Sequence, residues 1–327
     1  MLGAPHKLAK DFSKAAQLID AAEKVIIVAH QRPDGDALGS ACAFSLYLKD
    51  IKKNHDIFCR HEAPKYYGFL PALERLSSDE RLIVHGDHDV LVCLDSGDLA
   101  YAGVHAHLQQ RTKPGHTIIN IDHHATNTHY GHLNIVDASA SSTSELMFHM
   151  FDHLNHPMTT DLATCMLTGI VTDTGGFTNL ATTSSALQVA SHLIASGARI
   201  WDIQSYTQKN KSVNTLKLWG TALSRLTKHS SGIVTTVLTQ EDIMVCNADA
   251  ESIEGIANFL NTLDEAKAIA VIKENDDGTV KVSLRTTQDK VDVSRLARFF
   301  GGGGHKKAAG FTIPGRITKT PQGFQIV

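Results

Sequence analysis

Four groups of acidic and histidine side chains stand out by type and spacing. The first is His30-Gln-Arg-Pro-Asp34-Gly-Asp36, in which Pro33 and Gly35 turn the chain and release one imidazole and two carboxylates within a single loop. Asp95 comes next, with Ser96 and Asp98 beyond it, then Asp122-His123-His124, then Asp173 ahead of Gly175-Gly176. Singly, an Asp after a strand is more often a helix cap than a ligand, and adjacent histidines are often a solvated turn. Jointly they read otherwise. Burying Asp34, Asp36, Asp95, Asp122 and Asp173 around one crevice costs several kcal/mol per uncompensated charge, so cations belong among them. Mixed Asp and His donors suit manganese, magnesium or another hard-to-borderline divalent ion; a thiolate-preferring site would have used cysteine. Six or so ligands favour two ions over one, at the ~3.5 to 4 Å spacing that a shared carboxylate can bridge.

Each group follows an element that can position it. Apolar runs predict strands at Val25 to His30, Asp56 to Arg60, Val90 to Asp95 and Thr117 to Asp122, with helices at Leu38 to Ile51, Leu146 to Leu154 and Leu162 to Thr172. Ser142-Thr-Ser-Glu145 has the spacing of a capping box at the start of the second helix. The alternation implies an α/β domain with a mostly parallel sheet, where loops at the carboxyl ends of the strands converge on one crevice. We place this domain at 1–200 and a polar helical linker at 201–228. A smaller α+β domain follows at 229–327. It has strands at Gly232 to Thr239, Ala268 to Lys273 and Thr279 to Arg285, helix-like segments at Ala250 to Leu263 and Val293 to Phe300, and a hairpin turn at Asn275 to Gly278.

Composition sets the bounds. A chain of 327 residues exceeds one ordinary core. Lys+Arg at 31 against Asp+Glu at 34 leaves a formal charge of -3, with no basic field to hold long double-stranded nucleic acid. The five cysteines lie far apart, which suggests a reducing cytoplasm rather than a disulfide framework. Apolar runs such as Val25 to Ala29 fall far short of the ~20 residues of a membrane span. Met1 to Lys24 lacks the order of a secretory signal. A soluble cytoplasmic protein is expected, and a homodimer is compatible with the sequence. Of the 19 histidines, His85, His88, His105, His107, His149, His153 and His156 match no motif and are expected on the solvated surface.

Competing motifs fail. No G-x-G-x-x-G follows the first strand, Gly301 to Lys307 is no P-loop, and neither a G-x-S-x-G elbow nor H-E-x-x-H is present. The ordered set His30-x-x-x-Asp34-x-Asp36, Asp95, Asp122-His123-His124-x-x-Asn127, Ser142-Thr-x-Glu145 and Asp173-Thr-Gly-x-Phe177 resembles the DHH phosphoesterases. Ser283-Leu-Arg285 and Gly301-Gly302-Gly303-Gly304-His305 resemble the nucleotide-binding domain associated with them.

That resemblance implies roles. His30, Asp34 and Asp95 would hold one ion, and Asp36, Asp95, His123 and Asp173 the other, with Asp95 bridging. Asp122 would orient the site and His124 would face the phosphate, which places Asp95, Asp122 and His124 in the catalytic set. Arg285, Gly302, Gly303, Gly304 and His305 would bind substrate in a cleft between the domains; Thr286 replaces a common Ser and keeps its hydroxyl. The cofactors implied are two divalent cations, manganese first, with magnesium or cobalt as alternatives. A water acidified by both ions would attack phosphorus in line, without a covalent nucleophile. Within the family the two-domain form resembles oligoribonucleases that also dephosphorylate 3'-phosphoadenosine-5'-phosphate. The alternatives are a phosphodiesterase for cyclic di-AMP or linear pApA, and a nucleotide- or metal-binding protein without turnover. A pyrophosphatase would lack the glycine-rich His motif, and a processive exonuclease would carry further domains.

Overall fold

The computed structural model describes residues 7–110, 116–207, 211–248, 253, 255–261, 263, 265–304, 306–321 and 323–327. The chain divides into two compact units, Met1–Asn210 and Lys211–Val327. The first has strands β1 (Lys24–Ala29), β2 (Asn54–Phe58), β3 (Leu76–Ser77), β4 (Val90–Leu94), β5 (Thr117–Asp122) and β6 (Leu133–Val136). Its helices are α1 (Ala9–Ala21), α2 (Gly35–Asp50), α3 (Arg81–Val84), α4 (His105–Gln109), α5 (Thr143–His153), α6 (Thr160–Asp173), α7 (Ser184–Ala195) and α8 (Ile200–Thr207).

All six strands pair in parallel in the order β3-β2-β1-β4-β5-β6. A parallel sheet is covered on both faces, so β1 reads as an unbroken apolar run. Alternate residues go to different cores. Val25, Ile27 and Ala29 join the large core containing buried residues of α1, α2, α5 and α6, whereas Ile26 and Val28 pack with Ile83, Ala102 and Val104. The strand order reverses between β1 and β4, the switch point at which an open α/β sheet forms its crevice. His30, Asp95 and Asp122 leave the sheet at the carboxyl ends of β1, β4 and β5.

Helix α2 runs between β1 and the rest of the core, almost wholly buried, and packs against α6. Two glycines allow this approach. A Cβ on Gly39 would lie 2.5 Å from the Cys165 carbonyl oxygen, and one on Gly169 would lie 2.3 Å from Asp36 Oδ1. At Ser142 the expected capping box is half formed. The Ser142 hydroxyl accepts from Glu145 N at 3.0 Å, but the Glu145 carboxylate turns to Ser141 N and the Ser185 hydroxyl. The polar segment after Trp201 is helical in two pieces. Ile203 of α8 is buried in the first unit's core, and Leu218 and Ala222 of α9 (Val213–Ser224) in the second's.

The second unit holds β7 (Thr227–Lys228), β8 (Ile233–Leu238), α10 (Gln240–Val245), α11 (Ile256–Leu260), β9 (Ala268–Glu274), β10 (Thr279–Arg285), α12 (Val293–Phe299), β11 (Gly303–Gly304) and β12 (Ala308–Pro314). Its mixed sheet runs β11-β12-β10-β9-β8-β7, and β13 (Ile317–Thr320) and β14 (Gly323–Ile326) form a separate pair. The expected hairpin is present: β9 and β10 pair antiparallel, and Gly278 adopts φ 78 in the turn. Part of the expected 250–263 helix lies outside the described residues.

Candidate metal centre

Asp95 lies at the middle of the site. It follows β4 with a left-handed φ of 58, a conformation that Asp tolerates better than most residues and that recurs at functional sites. Its Oδ2 is 3.5 Å from His30 Nε2, and its Oδ1 is 3.5 Å from His123 Nε2. The two carboxylate oxygens thus face two different imidazoles. On one side Asp34 Oδ1 lies 3.6 Å from His30 Nε2; on the other, Asp173 Oδ2 lies 3.2 Å from His123 Nε2. Ligand atoms of His30, Asp34 and Asp95 lie within 4.8 Å of one another, and so do those of Asp36, His123 and Asp173 and those of Asp95, His123 and His124.

The local chain explains these positions. Asp34 caps α2, its Oδ1 accepting from Asp36 N and Ala37 N, so the bland reading of this residue holds together with its place in the cluster. Asp36, on the first turn of α2, is fully buried. Its Oδ2 accepts from Thr143 N at 2.6 Å and its Oδ1 from Ser144 N at 2.9 Å, both at the start of α5. Thr143 also donates its hydroxyl to Asp95 Oδ1 at 3.0 Å. Asp173 is the last residue of α6 rather than the first of a loop.

Asp122 faces a different set. Its Oδ1 accepts from His123 N and from His124 Nδ1 at 2.7 Å, and its Oδ2 from Asn127 Nδ2. Both oxygens are engaged, and Asp122 is in none of the three ligand groups described above. Asp122 accepts only, so Nδ1 of His124 carries hydrogen and the tautomer of that ring is set by this contact.

The charge balance fits cations. Among the described residues no lysine or arginine forms an ion pair with Asp34, Asp36, Asp95 or Asp173; only histidines do. The crowded carboxylates also shift the titration of the groups among them. Burial depresses His30, but its contacts with Asp34 and Asp95 outweigh burial and lift it to about 12. Burial likewise depresses His123, and the Asp173 contact with the charges of Asp95 and Asp36 lifts it to about 10. Burial and the neighbouring carboxylates Asp95 and Asp34 push Asp173 up to about 6, against the pull of His123. Asp36 is pushed well up by burial and by the charges of Asp95 and Asp173. A divalent ion could replace these protons, and the oxygen-rich donor set with imidazole nitrogens fits such an ion.

The description "DHH family, N-terminal domain" matches residues 24–170, and "DHHA1 domain" matches 232–322. The bifunctional oligoribonuclease and PAP phosphatase NrnA of Thermus thermophilus is 32% identical over 302 residues, 92% of this chain and 87% of that one. The chain belongs to the DHH family. By that membership this DHH protein is a metal-dependent phosphoesterase, a hydrolase acting on phosphate ester bonds. The cyclic-di-AMP phosphodiesterase GdpP of Geobacillus thermodenitrificans is 28% identical over 88% of this chain but only 44% of its own length. Among solved structures, an exopolyphosphatase-related protein from Bacteroides fragilis superposes with a TM-score of 0.85 at 27% identity, covering 92% of the DHH chain and 90% of its own. Exonuclease RecJ bound to manganese, at 0.55 and 13%, shares the fold.

In the DHHA1 unit, Arg285 ends β10 with its guanidinium partly buried and Nη1 donating to Leu284 O. Burial lowers its pKa. Gly302 and Gly304 serve packing: a Cβ on either would lie 2.2 Å from Gly310 O or 2.6 Å from Ala308 O, on β12. Gly303 is exposed and open. His305 lies outside the described residues. The Thr286 hydroxyl is structural, donating to Lys267 O at 2.6 Å.

Three participants were given no role at the site by the sequence. Thr143 and Ser144 reach Asp36 through backbone amides, which leave no side-chain signal. Tyr101 lies against His30 with ring centroids 4.7 Å apart. Two of the histidines expected on the surface are buried: His88 pairs with Asp56 at 2.8 Å and His107 with Glu80 at 3.1 Å. Burying an imidazole is tolerable where a carboxylate accepts from it.

Proposed function

We propose that this chain is a cytoplasmic enzyme that hydrolyses short oligoribonucleotides and 3'-phosphoadenosine-5'-phosphate with two divalent cations, manganese first among them. The observation that carries this is the division of Asp95, whose two oxygens each face the imidazole of a separate ligand group across 3.5 Å. His30, Asp34 and Asp95 would hold one ion, and Asp36, Asp95, His123 and Asp173 the other. When bound, the ions supply an acidified water and take up charge on the phosphoryl oxygens.

The remaining work belongs to side chains. Asp122 fixes the tautomer of His124 and turns Nε2 toward a phosphoryl oxygen, where a protonated ring donates to developing charge. Thr143 and Ser144 hold Asp36, and the Thr143 hydroxyl holds Asp95. Arg285 offers a planar fork to a substrate phosphate, and the glycine-rich motif Gly302-Gly303-Gly304-His305 is assigned to substrate binding on its resemblance to the family's. The names of the Thermus thermophilus relative support this substrate class. The GdpP likeness supports cyclic di-AMP less well, because the chain spans under half of that protein.

The test is a ranking of kcat/KM with manganese across 3'-phosphoadenosine-5'-phosphate, di- to pentaribonucleotides, pApA and cyclic di-AMP. Highest values on the first two classes, abolished by chelator, are expected. A preference for cyclic di-AMP overturns the substrate reading, and turnover that persists without metal overturns the chemistry.

A further inference from the structure

Tyr101 belongs to none of the motifs, yet it meets His30 in two ways. Its ring lies against the imidazole at a centroid distance of 4.7 Å and an interplanar angle of 31°. Its backbone carbonyl accepts from Gln31 N at 3.2 Å, and the Gln31 carbonyl in turn accepts from His30 Nδ1 at 2.9 Å. Because a carbonyl can only accept, Nδ1 of His30 carries hydrogen and Nε2 is the nitrogen turned toward Asp34 and Asp95. Tyr101 is itself anchored, its amide donating to Asp98 Oδ1 at 2.7 Å. The loop after β4 is thereby joined to the loop after β1. His30 is only 2% exposed although its neighbour Asp34 is half exposed, and Tyr101, itself 43% exposed, sets its ring against that imidazole.

We propose that Tyr101 is a positioning residue for His30: its ring fixes the imidazole plane and its carbonyl holds the Gln31 peptide that sets the tautomer, so that Nε2 is presented to an ion shared with Asp34 and Asp95. This rests on the two-ion reading above. The ring contact is with His30 and not with His123, so the effect is confined to one ion. Partners that orient a ligating imidazole typically hold ~10- to 100-fold in metal affinity. The ring, not the hydroxyl, makes the contact.

The experiment is calorimetric titration of the full chain with manganese chloride alone, without substrate. The unaltered protein should take up two ions. Tyr101→Ala should weaken one of them about 10- to 100-fold and leave the other within about twofold, with an unchanged melting temperature. Tyr101→Phe should restore both. In a His30→Ala background, Tyr101→Ala should add nothing further, because the group it positions is gone. Normal binding of both ions by Tyr101→Ala, an equal loss at both, or a further loss added to His30→Ala would each overturn the assignment. Failure of the unaltered protein to bind manganese would overturn the two-ion reading itself, and the inference with it.

Discussion

Gly169→Ala is the perturbation that bears most directly on how the centre is built. Gly169 lies on α6, where that helix passes the carboxylate of Asp36 and the start of α5. A methyl there would stand 2.3 Å from Asp36 Oδ1 and 2.0 Å from Ser144 Oγ, whereas ordinary contacts begin near 3.4 Å. The carboxylate oxygen or the helix must retreat by about 1 Å. Asp36 has little room to do so, because both its oxygens are held by the amides of Thr143 and Ser144. Overpacking of this kind costs about 1 to 3 kcal/mol of stability. A reacting group displaced by about 1 Å costs on the order of 100-fold in rate, about 2.7 kcal/mol. We therefore expect Gly169→Ala to lower the melting temperature and to cut both turnover and the affinity of one manganese ion on the order of 100-fold. Gly220→Ala is the matched control: this exposed helical glycine has nothing within 4 Å of an added methyl and should gain about 0.5 to 1 kcal/mol. Differential scanning calorimetry, manganese titration and initial rates on a dinucleotide read all three effects. Unaltered melting, ion binding and turnover in Gly169→Ala would refute the claim that this glycine exists to admit Asp36.

Asp95→Ala should abolish turnover and lower bound manganese, read by elemental analysis, more than any other single ligand change; two ions retained with normal turnover would remove the bridging role. Manganese affinity should climb with pH well past neutrality. His30 and His123 hold protons up to about 12 and about 10, so a cation must displace them at pH 7, by up to ~10-fold in affinity per pH unit for each proton released. Affinity that levels off above the ordinary imidazole value of 6.5 would count against both as ligands. Glu145 is depressed from 4.5 to about 2: burial would raise it, but His149, Ser185 and Ser141 outweigh burial. A lowered carboxylate stabilises the fold above pH 4.5, on the order of 3 kcal/mol, and that contribution is lost as pH falls toward 2. Glu145→Gln should therefore melt lower at pH 7 and converge with the unaltered protein near pH 2; an equal deficit at both pH values would exclude the charge as the cause.

Much of this protein was legible because its signals are local. Buried parallel strands announce themselves as apolar runs, and β5 and β10 fall at the expected residues. The acidic and histidine groups sit at strand ends that any parallel sheet brings together, so His30, Asp95, Asp122 and His123 could be collected without coordinates. Short edge strands such as β3 and β6 carry too few residues for a period to show. The same holds for α9: its polar face read as linker, but Leu218 and Ala222 point into a core that exists only once the second unit has folded. Contacts between distant residues had no local trace at all. Asp36 and the amide of Thr143 are 107 residues apart, and an amide is the same in every residue. Whether His88 and His107 lie in water or against a carboxylate depends on Asp56 and Glu80, which only the packed chain brings near them. The sequence by itself determined which groups could bind ions and where the strands would deliver them. Tertiary structure decided which oxygen faces which imidazole, because that depends on distances between helices, set here by missing side chains at Gly39 and Gly169.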